Sequence, residues 1–99
     1  MTFSIDFNKA YRQADALAQS AEQLRQESNR ISEIANETQR NWIGETAEAF
    51  FAKLQILESE LREGASRAKQ DAAAFRARID AIREAEEMAM AAMKGESNA

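Results

Sequence analysis

Residues 40–50 read RNWIGETAEAF, and this stretch decides the fold. It holds the only tryptophan, Trp42, and one of just three glycines, Gly44, while the sequence on either side reads as helix. Gly44 can take the positive φ that closes a helix C-terminus, and Glu45 and Glu48 suit the first turn of a following helix, whose dipole favours negative charge. Residues 41–44 are therefore the one corner that periodicity and composition both allow.

Upstream of the corner, apolar or small residues alternate in steps of four and three: Ala10, Ala14, Leu17, Ala21, Leu24, Ser28, Ile31, Ala35, Thr38 and Trp42. A stripe kept in heptad register with charges off it predicts one long helix, about 8–40, with Ser4, Asp6 and Asn8 all competent to cap its start. Downstream the pattern resumes as Ala47, Phe50, Leu54, Leu57, Leu61, Ala65, Ala68, Ala72, Phe75, Ile79, Ile82, Ala89 and Met93. This predicts a second helix, about 45–93, which Phe51 and Ile56 widen near its start and in which Gly64 marks a slight bend or a close approach of the helices. A disordered tail is expected over 94–99.

The 99 residues make one domain, and the composition agrees with two long helices: proline and valine are absent, and alanine, glutamate and arginine dominate. The fold class expected is all-α, an antiparallel two-helix hairpin with arms of roughly 45 to 70 Å at ~1.5 Å per residue. Two helices share one seam, yet Phe50, Phe51, Ile56, Phe75, Ile79 and Ile82 together cover more than a single contact line needs. Two chains closing into a four-helix bundle is the simplest way to cover the surplus, with Phe50, Leu54, Leu57, Leu61, Phe75 and Ile79 as the expected dimer interface. Ahead of the first helix, Phe3, Ile5 and Phe7 alternate with polar residues; both an arm onto a partner and a staple onto the chain's own first turn fit that pattern.

Chemistry is scarce. Histidine and cysteine are both absent, which removes the usual nucleophile–base pairs and most zinc sites. Glu84, Glu86 and Glu87 point in different directions around a helix and cannot converge on one ion. No enzyme, no cofactor and no metal are expected. A net charge of -4, without a dense basic face, argues against nucleic acid. The start MTFSIDFNKAYR lacks a basic region and an apolar core, so no general secretory signal peptide is expected, and no stretch approaches the ~20 apolar residues of a membrane span.

A roughly hundred-residue, cysteine-free helical hairpin with Trp42, Ile43 and Gly44 at its corner resembles the WXG proteins, the small early-secreted-antigen-like substrates of type VII (Esx) secretion systems. The resemblance covers nearly the whole chain. It implies a turn built on the W-x-G motif and four-helix bundles formed by homodimers or by heterodimers with a paralogue. It also implies export from the cytoplasm by a membrane-anchored ATPase that reads a C-terminal helical signal. The actinobacterial signal, Tyr-x-x-x-Asp/Glu after the second helix, is missing there; Tyr11 and Asp15 make that pattern in the first helix instead. A broader pattern of the family fits Ile82, Glu86, Ala89 and Met93, all on one helical face. The resemblance further suggests that Trp42 of one chain and Ile82 to Met93 of its partner form one composite surface. The expectation is thus a secreted, non-enzymatic homodimer without stable membrane insertion. An intracellular coiled-coil adaptor, in which Trp42 and Gly44 only make a corner, is the alternative.

Overall fold

In a computed structural model, which describes residues 5–97, the chain is an antiparallel hairpin of two helices, α1 (Phe7–Gln39) and α2 (Glu45–Ser97). The pair makes a rod of 82 × 17 × 15 Å. All-α architecture and the hairpin agree with the expectation from periodicity.

Of the three possible caps, Asp6 starts α1: its backbone is extended (φ -81°, ψ 92°) and its Oδ1 accepts from the Lys9 amide at 3.0 Å. That bond satisfies one of the orphan amides of the first turn. At the far end α1 closes without a left-handed residue, because Arg40 is still right-handed and the Asn41 amide bonds back to the Thr38 carbonyl at 3.1 Å. Gly44 accordingly acts one step later than the sequence suggests. Its φ is 122°, and its carbonyl accepts from the Glu48 amide at 2.9 Å, so it begins α2 rather than ending α1. The space around it is open, and a Cβ there would be opposed only by the backbone conformation.

The seam is built from small residues. Ala14, Ala21 and Ser28 on α1 and Ala47, Phe51, Ala65, Ala72 and Ile79 on α2 are buried. Small side chains let the two backbones approach closely, and Ser28 uses that proximity: fully buried, its hydroxyl donates to the Glu58 carbonyl on α2 at 3.1 Å. A buried hydroxyl with no partner would be costly, so this bond also holds the register. Gly64 lies within an unbroken α2, and Leu24 Cδ1 lies 4.0 Å from where its Cβ would be, an ordinary side-chain contact.

Two readings of the second stripe need correction. Before Gly64 the stripe that faces α1 runs through Phe51 and Glu58, while Phe50 and Leu57 are exposed one position to the side. After Gly64, Ile79 is only 5% exposed; it packs in the chain's own seam and so leaves the expected dimer interface. The end of α2 is a third correction. The helix continues through Ser97, past the expected end at Met93 and into the segment expected to be a disordered tail. Alanine and methionine over 88–93 favour helix and no proline follows, so only Gly95, at about 1 kcal/mol, opposes its continuation. Residues 98 and 99, and Phe3 of the N-terminal pattern, lie outside the described residues.

Candidate interaction surfaces

Helical periodicity divides the hairpin into two broad sides. On one, Arg62, Lys69, Arg76 and Arg83 recur every seven residues along α2 and face Tyr11, Asp15, Ala18, Glu22 and Arg25 of α1. Between them runs a shallow groove of about 570 Å³ over Ala18, Ala21 and Ala65. Ion pairs close this side: Arg76 to Asp15 at 2.9 Å across the helices, and Arg62 to Glu58 at 2.8 Å within α2.

The opposite side is apolar. Leu17, Leu24 and Ile31 of α1 and Leu54 and Leu61 of α2 are half-buried there, and Phe50, Leu57, Phe75 and Ile82 stand exposed beside them. The half-buried leucines and Ile31 edge the seam, and the four exposed side chains are left over because the alanines already fill its width. Five of the six residues expected at a dimer interface therefore lie on one continuous face, Ile79 being the exception.

At the corner, Trp42 is 38% exposed, with its ring centroid 5.3 Å from Phe50 and 5.8 Å from Phe51 in tilted and edge-on contacts. Such aromatic contacts each add about 0.5 to 1.5 kcal/mol beyond burial. Trp42 thus plugs the end of the bundle with one face and offers the other to solvent. Ile43 is 88% exposed and packs on nothing. A cavity of about 360 Å³ opens beside these two residues, between Gln39 and Gln55.

At the open end, α2 outruns α1. The Tyr11 hydroxyl donates to Asp80, and Asp6 caps α1 five residues earlier, so α1 starts opposite about residue 85 and roughly 18 Å of α2 overhangs it at ~1.5 Å per residue. Glu86, Ala89 and Met93 of the C-terminal pattern continue the seam into this overhang, and Ile82 lies one turn before it at the end of the apolar side. Ile82, Ala89 and Met93 are exposed and Glu86 is half-buried. Met88 and Met90 are exposed around it.

Sequence reading missed the polar cluster that fastens α1 just before the overhang. Tyr11 meets Asp80, the Arg76 guanidinium sits 5.0 Å from the Tyr11 ring centroid, and Arg83 lies beside the hydroxyl and bonds Glu87 at 3.4 Å. Its signal was the spacing of Tyr11 and Asp15 against Arg76, Asp80 and Arg83, complementary only once the hairpin register is known. The hydrogen bond to Asp80 is the main cause that raises the Tyr11 pKa above its ordinary 10.0, and Arg83 works against it. A raised folded value means that the bond stabilises the fold below the ordinary tyrosine pKa and is lost as pH rises through the folded one. Tyr11 is the only tyrosine, so its ultraviolet absorbance reports this directly: Asp80→Asn is expected to bring the phenolate transition to lower pH, and an unmoved midpoint would refute the contact.

These features define an all-α helical hairpin with one closed polar side, one open apolar side, an aromatic corner and a helical overhang. Among the described residues no helix is long and apolar enough to cross a membrane. No family model, curated protein or solved structure matches the chain.

Proposed function

We propose that this chain is a small non-enzymatic protein exported by a type VII secretion system as a folded helical dimer, as a secreted substrate or effector or as a component on which co-secretion depends. Its resemblance to the WXG proteins at Trp42, Ile43 and Gly44 supplies the family. One observation carries the reading: among the described residues the apolar side and the overhanging seam are two surfaces left uncovered, and they match the two contacts an exported dimer must make. The apolar side takes a second copy or a paralogue. The overhang and the turn before it present Ile82, Glu86, Ala89 and Met93 along one face, the i, i+4, i+7 pattern with which a helix enters an apolar groove, here on the secretion ATPase.

The experiment is export measured with and without the ATPase, for the intact chain and for a chain ending at Ala81. The full chain is expected outside the cell only when the ATPase is present, and the shortened chain is expected to stay inside while remaining helical and dimeric. Export of the shortened chain would remove the role of the overhang; retention of the intact chain beside a working ATPase would favour an intracellular adaptor. Trp42→Ala extends the test, since a composite surface requires export to fall while folding and dimerisation persist.

A further inference from the structure

The first two turns of α1 are held to α2 differently from the rest of the helix. Further along, Leu17, Leu24, Ile31 and the buried Ser28 anchor it, whereas between Asp6 and Ala14 the seam offers only half-buried Phe7 and two alanines, Ala10 and Ala14. Alanines bury little apolar surface, about one methyl group each. The polar cluster is concentrated at this place: Tyr11 to Asp80, Arg76 over the Tyr11 ring and Arg76 to Asp15. Ile79 directly precedes Asp80, so the Tyr11–Asp80 bond sets it opposite this part of α1, and it is the last buried residue of the α2 seam among the described residues.

We infer that residues 7–14 form a strap, clasped by Tyr11 and Asp80, whose release uncovers Ile79 and lengthens the docking face of the overhang by one turn. With the strap closed, that face begins at Ile82. With it open, Ile79, Ile82, Glu86, Ala89 and Met93 follow one another at steps of three and four, a longer run of anchors for a partner with an apolar groove. The remaining seam, from Leu17 to the corner, stays zipped throughout, because opening removes only contacts that the clasp, half-buried Phe7 and two alanines provide. Local opening of this kind is the ordinary behaviour of a segment with few buried apolar contacts. The partner's identity rests on the export reading; the strap itself does not.

The chain has no cysteine, so a single introduced thiol reads the strap without background. Ile79→Cys places that thiol opposite it, and Ala65→Cys places one at a buried seam position in mid-hairpin. Alkylation rates are measured on the full-length protein, with helical content checked by circular dichroism. Adding Tyr11→Phe, which keeps the ring beside Arg76 but removes the hydroxyl, is expected to speed alkylation of Ile79→Cys roughly fivefold, the factor one lost hydrogen bond gives, and to leave Ala65→Cys unchanged. Asp80→Ala, which removes the acceptor, gives a second route to the same result. Equal acceleration at both thiols would mean that the whole hairpin opens, and no acceleration at Ile79→Cys would mean that the clasp holds nothing; either result overturns the strap. If the wild-type chain is not exported, the export reading fails, while the thiol rates still decide the strap.

Discussion

Glutamate at both Leu57 and Phe75 is expected to halve the particle, from twice 11.1 kDa to 11.1 kDa, with helical content kept. Both side chains stand about two-fifths exposed on the apolar side, so within one chain their loss costs less than that of a core residue. In a four-helix bundle the same side chains are buried in two copies. Full burial of a large apolar side chain contributes about 1.5 to 3 kcal/mol, and the substituted carboxylates would have to lose their water as well. Four such sites in a dimer weaken association by roughly a thousandfold or more. Light scattering at a concentration where the wild-type chain is dimeric measures this. A doubly substituted chain that stays dimeric would show that the partner covers another face. A wild-type chain that is monomeric by itself would direct the search to a paralogue with a matching apolar side.

The contrast between the two sides shows which levels of the structure are legible in sequence. Heptad spacing identifies the α1 seam residue by residue, since Ala14, Ala21 and Ser28 recur every seven positions and nothing competes with them. On α2 before Gly64 it misleads, because Phe50 and Leu57 form a stripe as apolar as the true one. The stripe that faces α1 contains Glu58, which a hydrophobic pattern rejects. Glu58 is tolerated there because its backbone carbonyl serves Ser28 while its carboxylate turns outward to Arg62. Periodicity ranks side chains by apolarity; packing also ranks them by size, and the close approach needed at Ser28 selects the row with alanine over the row with leucine. The same limit explains Ile79: sequence shows that α2 carries surplus apolar surface but not where α1 stops covering it, which depends on register. The polar clasp needed register too. Corner geometry was half legible, for a glycine with positive φ was foreseeable, whereas its service to α2 instead of α1 depends on Asn41 bonding back to Thr38.

Phe51→Ala and Phe50→Ala test that distinction with neighbouring residues of the same type. Phe51 is 7% exposed and Phe50 is 43% exposed, and each packs on Trp42. Removing Phe51 leaves a cavity at the corner end of a seam otherwise filled by alanines, so few neighbours are large enough to collapse into it. A buried phenylalanine truncated to alanine costs about 3 to 5 kcal/mol. Small domains have only about 5 to 15 kcal/mol in all, so this change is expected to remove a large part of the stability. Urea unfolding followed by circular dichroism should show the midpoint fall steeply, and the Trp42 emission should shift as its cluster loosens. Phe50→Ala, by contrast, should cost about 1 to 3 kcal/mol in a chain held monomeric by the substitutions at Leu57 and Phe75, because its ring is already partly in water and what it loses there is mainly its contacts with Trp42 and Phe51. In the dimeric chain it should cost distinctly more, since the bundle buries what the hairpin exposes. The two variants therefore differ in emphasis: one weakens the hairpin equally in any oligomeric state, the other weakens the association more than the hairpin. Equal losses from both in the monomeric chain would mean that the corner packs as one undivided aromatic cluster, with no separate row reserved for a partner.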